Sequence, residues 1–397
     1  MSRTTALSLL SVAMALAMTT WFSASAVLPE LRLRWSLSSG ESAWLTIAVQ
    51  LGFVFGALLS AVTNLPDQVS PRLVVFGCAI GAAIVNALVA SADGFASALP
   101  LRFATGMFAA GIYPPMLKIL ATHFREGRGL ALGILVGALT LGNATPHLVH
   151  GIGTLPWQQV VLVSSFLTVI GGAVALLVPN GMYPFARGSF EPRYALRAFR
   201  DPAVRLANFG YFGHMWELFA MWTWFAAFFA ASLAAAGVAD ASSLASLGAF
   251  AVVGAGAIGC IAGGVLGDAW GRTRTTALAM TVSASCAALI GAAFASPALV
   301  FVVGLVWGVA VVADSAQFST MVTELADQAY VGTALTVQLA AGFALTAATI
   351  WLVPLVRDAI GWPLTFLLLV PGPALGVVAM LRLRDRPESQ RIAGGRG

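Results

Sequence analysis

The chain alternates between long apolar stretches and short polar segments. Twelve of these stretches reach about 18 residues or more, the length at which a helix crosses a hydrocarbon core roughly 30 Å thick. The pattern therefore predicts twelve transmembrane helices, with both termini on one side of the membrane. The predicted spans cover residues 5–28, 42–64, 73–92, 98–121, 129–150, 157–178, 204–231, 243–266, 275–294, 298–320, 333–356 and 362–381.

The first predicted span has an alternative interpretation. Arg3, the apolar stretch behind it and the small residues Ala24, Ser25 and Ala26 also fit a cleaved signal peptide. The stretch is long enough to cross a membrane, and part of it resembles a later segment of the chain. We therefore interpret it as a helix of the protein.

The composition excludes several functional classes. Hydrophobic residues make up 59% of the chain and charged residues only 9%, against roughly 25% charged residues in soluble domains. Cys78, Cys260 and Cys286 lie inside apolar stretches without metal-ligand spacing. Phosphate-binding loops, zinc-hydrolase motifs and nucleophile elbows are missing from the sequence. We expect a polytopic membrane protein that is not an enzyme, with no cofactor, no metal site and no nucleic-acid partner.

Orientation is predicted from the positively charged residues, which accumulate in cytoplasmic loops. If the N-terminus is inside, the outer loops contain only Arg32, Arg34 and Arg357. We therefore expect both termini to be cytoplasmic and the protein to lie in a bacterial-type inner (plasma) membrane. The predicted cytoplasmic segments contain Arg3, Arg72, Lys118, Arg125, Arg128, Arg187, Arg193, Arg197, Arg200, Arg205, Arg272, Arg274, Arg382, Arg384, Arg386, Arg391 and Arg396.

A polar central segment divides the chain into two similar halves. The predicted units are a six-helix bundle at 1–178, a cytoplasmic loop at 179–202, a second six-helix bundle at 203–384 and a cytoplasmic tail at 385–397. The halves echo each other in two places: Met18–Phe22 resembles Met221–Phe225, and Asp67–Arg72 resembles Asp268–Arg272. Two parallel repeats with a substrate site between them describe a known transporter architecture.

The loop after the eighth span carries a family resemblance. Gly264–Arg274 contains a glycine, then Asp268, then Gly271 and Arg272, and it resembles the loop motif of the major facilitator superfamily. The resemblance implies an all-α membrane protein with twelve transmembrane helices in two pseudo-symmetric six-helix bundles, which alternately expose a central site to each side. The aromatic seventh span and the short loops are similar to those of prokaryotic relatives of cyanate and nitrate transporters. The arginine and asparagine signatures expected for a nitrate transporter are absent.

This motif also implies a gate. We expect Asp268 to accept hydrogen bonds at the start of the eleventh span, whose helix dipole is positive there, with Gly264 allowing close approach and Arg272 beside it. Asp67 and Arg72 form a degraded copy in the first half. The alternative is a short basic turn with no gating role.

Two further segments resemble family motifs. Arg102 begins a glycine-containing stretch of the fourth span, and it is a candidate for substrate binding or proton coupling. A structural arginine that reaches toward the membrane surface is the alternative. The glycines of the fifth span and Pro146 loosely resemble an exporter motif, but close helix packing explains them equally well.

The seventh span holds the strongest candidates for proton coupling. His214 and Glu217 are three positions apart and so share a helix face, about halfway across the bilayer. Burial disfavours the charged form of a carboxyl group, so Glu217 with His214 is predicted to carry a proton. The alternative is a neutral Glu217 that ties the bundle together. Asp314 is the other intramembrane acid, either in a structural pair or lining a vestibule.

Other polar and aromatic residues within spans are weaker candidates for substrate contact. They are Tyr113, Tyr211, Trp222, Asn143 and Gln338. Interfacial anchoring of the aromatic residues and hydrogen bonds between helices are the alternatives.

The predicted function is secondary active transport of a small solute, coupled to protons, by a protein that is monomeric in the lipid bilayer. A single intramembrane arginine favours a monoanion or a neutral solute. Proton-driven export of hydrophobic drugs or metabolites is an alternative. A membrane receptor or assembly subunit that does not transport is an alternative of another class.

Overall fold

The protein is described by a computed structural model of residues 1–63, 65–124, 127–153, 155–183, 194, 197–327 and 330–397; of residues 66, 67, 128, 197 and 198 only the backbone is described. Ten helices in these ranges are long and apolar enough to cross a membrane. The chain is therefore a multi-pass membrane protein.

The helices follow each other with short connections. In the first half they are α1 (Arg3–Ala17), α2 (Ser23–Ala26), α3 (Leu28–Arg34), α4 (Ser39–Val62), α5 (Leu65–Gln68), α6 (Pro71–Val89), α7 (Phe95–Ala109), α8 (Tyr113–Ala121), α9 (Arg128–Gly151) and α10 (Trp157–Leu176). In the second half they are α11 (Arg197–Arg200), α12 (Pro202–Ala235), α13 (Ala241–Trp270), α14 (Arg272–Leu289), α15 (Pro297–Ala313), α16 (Ser315–Leu325), α17 (Val331–Ile360), α18 (Trp362–Thr365) and α19 (Pro371–Arg384), with 3-10 helices at Phe366–Leu369 and Pro387–Gly394.

Ten of the predicted spans are confirmed, with ends that differ by a few residues. The remaining two are the first and the ninth. The first is divided into α1, α2 and α3, because the chain turns at Met18–Phe22. The ninth corresponds to α14, a helix rich in threonine and serine that begins at Arg272. Hydropathy alone does not reveal a break of this kind, because none of the turn residues is charged and they include no glycine or proline.

Two other spans are interrupted. Ala110–Ile112 separates α7 from α8, which carries Pro114 and Pro115 in its first turn. Proline is tolerated there because the first N–H groups of a helix have no intrahelical partner. Asp314 separates α15 from α16. The interruptions at Met18–Phe22 and Asp314 both lie next to the centre of the molecule.

The helices of each half pack mainly with one another. Two pairs make the most extensive contacts between the halves: α9 with α13, and α4 with α17. The second span of each half therefore packs against the fifth span of the other. Asp268 marks one end of the α9–α13 pair, called the loop face here, and His150 marks the opposite end, called the far face.

Glycines bring α9 and α13 into backbone contact. A Cβ atom on Gly133 would lie 2.5 Å from the carbonyl oxygen of Cys260, and one on Gly264 would lie 2.8 Å from that of Gly129. Small residues let helix backbones approach closely in membranes, where packing rather than water exclusion holds helices together. The two halves therefore meet backbone to backbone along this pair.

Replacing Gly133 with alanine tests this contact. The added methyl group meets a backbone carbonyl that cannot rotate away, and overpacking of this kind costs about 1–3 kcal/mol. We expect Gly133→Ala to lower the thermal unfolding midpoint of the detergent-purified protein.

The matched control is Gly254→Ala on α13. Its Cβ atom would find only Leu141 Cδ2, at 3.5 Å, so we expect a midpoint at or above that of the wild type. Equal midpoints for the two variants would contradict the proposed backbone contact.

Candidate functional site

Arg102 on α7 is fully buried and bonded to the interrupted first span. Its Nη1 donates to the carbonyl oxygen of Thr20 at 3.1 Å and to Ser23 Oγ at 3.2 Å, and its Nη2 donates to the carbonyl oxygen of Trp21. The turn at Met18–Phe22 leaves these carbonyls without the partners of a continuous helix. Arg102 supplies those partners inside the membrane.

The remaining donors of Arg102 reach two further helices. Its Nε donates to the carbonyl oxygen of Leu45 on α4 at 3.2 Å, and its Nη1 to Asn86 Oδ1 on α6 at 2.9 Å. Each of the three guanidinium nitrogens is therefore bonded to protein oxygen. The structure places Arg102 in a helix-joining network and outside the lining of the central cavity described next.

A cavity of about 50 Å³ lies between the two halves. Three helical spans from each half contribute to its walls. The lining residues are Met18, Trp21, Tyr113, Val136, Leu139, Asn143, Tyr211, Met215, Leu218, Phe219, Trp222, Val312, Ser315, Ser319, Leu339 and Phe343. At roughly 10–15 Å³ for each water, this volume holds a few water molecules.

Four of the predicted substrate contacts line this cavity: Tyr113, Asn143, Tyr211 and Trp222. Gln338 does not, because its Nε2 donates to Asn208 Oδ1 at 2.9 Å inside the second half. Sequence reasoning could place all of these residues within spans. It could not show which side of each helix faces the other half.

The two echoed aromatic segments meet at the cavity. Trp21 stacks on Phe219 with ring centroids 5.8 Å apart, and Phe22 packs edge-on against Trp222 at 6.0 Å. Phe53 on α4 and Phe343 on α17 close the contact at 4.4 Å. Aromatic rings from both halves therefore form much of the wall.

A buried pair of titratable residues in the second half, His214 and Asp314, lies behind this wall. His214 Nδ1 lies 2.8 Å from Asp314 Oδ1, and both side chains are almost completely buried. The distance is that of an ion pair, although the groups are not aligned as a hydrogen bond. Neither residue lines the cavity, but their chain neighbours Met215 and Ser315 do.

The predicted partnership of His214 with Glu217 is wrong. Glu217 Oε1 accepts a hydrogen bond of 2.6 Å from Trp307 Nε1 on α15. The two residues do share the buried side of α12, as their spacing predicted. Their side chains reach different neighbours, and sequence spacing on one helix carries no information about distances to another.

Asp268 lies at the start of α9. A Cβ atom on Gly129 would be 2.4 Å from Asp268 Oδ2, so the carboxylate is beside the first turn of this helix, which has no side-chain cap. The prediction that Asp268 meets the eleventh span is therefore wrong. The expected interaction with a helix dipole is present, but on the fifth span.

Arg272 connects this region to the tenth span. Its Nη1 lies 3.2 Å from Asp268 Oδ1, its Nε and Nη2 donate to Glu324, and its Nη1 also donates to Gln317 Oε1 at 2.8 Å. The backbone N–H of Ala393 in the tail donates to Glu324 as well. Glu324 was missed because the tenth span was predicted to end before it.

The first-half copy of the motif is only partly described. Arg72 is exposed in the first turn of α6, and the side chain of Asp67 lies outside the described residues. Arg125 also falls outside them, as does the segment 184–193 of the predicted central loop, with Arg187 and Arg193.

Polar contacts also join the two halves at the far face. His150 on α9 lies 3.0 Å from Glu30 through Nε2 and 2.7 Å from Ser246 Oγ on α13 through Nδ1. On the α4–α17 pair, Arg357 Nη2 donates to Ser39 Oγ at 2.8 Å. The halves are therefore joined at both ends of the α9–α13 pair, with the small cavity between them.

Two solved structures share this fold. A bacterial homolog of the human lysosomal transporter Spinster, in an inward-facing and unoccupied conformation, superposes with a TM-score of 0.71 at 16% identity, covering 97% of this chain and 99% of that one. A mutant of the nucleoside transporter NupG gives a TM-score of 0.73 at 13% identity, covering 95% and 99%. A search of curated proteins found no match.

The family comparison covers more than half of the chain. The model of the Major Facilitator Superfamily matches residues 10–254, from the first span into α13. The chain therefore belongs to the Major Facilitator Superfamily, whose members move solutes across membranes, and it is a transporter rather than an enzyme.

Proposed function

We propose that this protein is a proton-coupled secondary transporter that moves a small solute by alternating access of the central cavity. The observation that carries the proposal is the buried contact between His214 and Asp314 directly behind the cavity wall. Ionisable residues within a membrane are costly and are retained for function. A proton that binds this pair changes its charge next to the solute.

The architecture we propose has twelve spans in two six-helix bundles, at 1–178 and 203–384. The ten apolar helices are completed by the interrupted first span and by α14. The packing of α4 with α17 and of α9 with α13 supports this division, since a pseudo-twofold axis between two bundles exchanges these two pairs.

We place the protein in the inner membrane of a bacterial-type cell. The arginine distribution supports an orientation in which the loop face, both termini, the central loop and the tail are cytoplasmic. The cavity lies between the two halves of one chain, and we propose a monomer as the functional unit.

The proton site combines the continuous helix α12, which carries His214, with the interrupted tenth span. Asp314 sits where α15 ends and α16 begins, at the interruption of the tenth span. Histidine is the side chain whose charge changes closest to neutral pH, and His214 Nδ1 lies 2.8 Å from Asp314 Oδ1. Glu217, bonded to Trp307, is an accessory acid one turn away along α12.

The gate at the loop face consists of Asp268 at the start of α9, with Arg272 and Gly264. Opening this face separates the carboxylate from the helix start and costs the interaction between charge and dipole, about 0.3–2 kcal/mol. Glu324 holds Arg272 in place. In the first half we propose the corresponding role for Asp67 and Arg72.

Export of hydrophobic drugs or metabolites against protons is the second candidate. The aromatic lining of the cavity favours it. Arg102 gives no support to anion transport in this conformation, because its nitrogens are bonded to protein oxygens.

The proton site is tested by a pair of spin labels on cysteines introduced at Leu177 and Trp270, which are exposed and lie one in each half. The distance distribution is measured by pulsed electron paramagnetic resonance in mildly acidic and mildly alkaline buffer. We expect the distance distribution of the wild type to change with pH and Asp314→Asn to lose this response, since the variant lacks the carboxyl group of the buried pair.

Glu217→Gln is the matched control, as it neutralises the other buried acid of the same half. We expect it to keep the response. A response that survives Asp314→Asn but disappears in Glu217→Gln would assign the proton to Glu217 instead. A wild type without any response would contradict proton coupling.

The same labels test the gate at constant pH. Asp268→Asn removes the charge at the start of α9, and we expect the ratio of open to closed loop face to rise by about two- to thirtyfold, the equivalent of the dipole interaction. Asp385→Asn, an exposed acid at the same end of the molecule, should leave the distribution unchanged. The same distribution in both variants would show that Asp268 does not hold the gate closed.

A further inference from the structure

The lining of the central cavity is uncharged. None of the side chains that line it in the described part of the chain is acidic, basic or a histidine. The nearby His214 and Asp314 are paired with each other. A charged solute that leaves water for such a site lacks the paired charge that offsets its desolvation.

Three polar atoms of the lining side chains have no hydrogen-bond partner among the described residues. They are the indole nitrogens of Trp21 and Trp222 and the amide oxygen of Asn143, and each of these residues is at most 2% exposed. An unsatisfied buried polar group costs about 1–3 kcal/mol. The cavity therefore presents two donors and one acceptor that a solute can satisfy.

Other tryptophans of α12 differ in this respect. Trp216 donates to the carbonyl oxygen of Leu368 and Trp224 to that of Ile350, each at 3.0 Å. Trp222 lies between these two residues in the sequence and faces the cavity instead. The missing partner is therefore a property of the cavity and not of tryptophan in this helix.

The shape of the wall adds a second requirement. Trp21 and Phe219 lie nearly parallel, with an interplanar angle of 27°, and Phe343 packs against both at 5.7 and 5.1 Å. Flat aromatic faces bind flat partners by offset stacking or edge contact. Polar atoms at the edges of such faces fix the orientation of the bound molecule.

We propose that the solute is an uncharged planar molecule of the aromatic amide or lactam class. Its carbonyl or ring acceptors take the N–H groups of Trp21 and Trp222, and its N–H group donates to Asn143. This inference rests on the proposed transport function and specifies its substrate class. Because the closed cavity holds only a few waters, the halves separate to admit such a molecule.

Three isosteres separate charge from shape. Nicotinamide is uncharged, nicotinate is an anion and 1-methylnicotinamide is a permanent cation, and all three are planar and similar in size. Thermal unfolding of the purified full-length protein is followed while each compound is titrated into the millimolar range. Specific binding raises the midpoint with ligand concentration. We expect nicotinamide to stabilise the protein, with apparent affinity at least about tenfold above that of either charged isostere.

Two matched substitutions locate the binding. Trp222→Phe keeps an aromatic ring but removes the N–H group. We expect it to lower the affinity for nicotinamide about three- to tenfold, the equivalent of one hydrogen bond. Trp224→Phe removes an N–H group that is already bonded to Ile350, so nicotinamide affinity should stay at the wild-type value. Asn143→Leu should lower the affinity for nicotinamide by a similar factor to Trp222→Phe.

The proposal is overturned if nicotinamide does not stabilise the wild type, if either charged isostere binds as well, or if Trp222→Phe and Asn143→Leu bind like the wild type. These outcomes are independent of proton coupling. Nicotinamide binding is read from the unfolding midpoint of the wild type and proton coupling from the pH response of its spin labels, so failure of the solute class and failure of the coupling are distinguished.

Discussion

The contact between α9 and α13 determines how the two halves are placed. Gly133 and Gly264 bring the backbones together, and each end of the pair carries a polar contact, Asp268 at the start of α9 and His150 with Ser246. Between these ends the facing residues are small, since a Cβ atom on Gly137 would lie 3.5 Å from the Cβ atom of Ala257. Val136, Leu139 and Asn143 of α9 line the cavity, so this contact also positions part of the cavity wall.

Much of the fold could be predicted because membrane helices are specified locally. A span needs only length and hydropathy, and ten spans follow from these two properties. The echoed segments Met18–Phe22 and Met221–Phe225 do meet, through Phe22 and Trp222, but the echo does not say which of their residues face the cavity: Trp21 lines it, whereas the equivalent Trp224 donates to Ile350.

The partners across helices could not be predicted. His214 was assigned to Glu217 from spacing along α12, whereas Asp314 approaches from an interruption in another span. Asp268 was assigned to the wrong helix start, because every helix start has the same dipole and hydropathy does not say which one is near. The hydrogen bonds of Arg102 also could not be predicted from the sequence. Two of its acceptors are the backbone carbonyls of Thr20 and Trp21, which are available only because the first span turns there.

That network has a consequence for biosynthesis. Every acceptor of Arg102 comes from an earlier part of the chain: Thr20, Trp21 and Ser23 from the first span, Leu45 from α4 and Asn86 from α6. Since a chain emerges from the ribosome N-terminus first, the oxygens that solvate this guanidinium are already in the membrane when the fourth span arrives. The most polar side chain of the first half can thus enter the bilayer without waiting for any later segment to be translated.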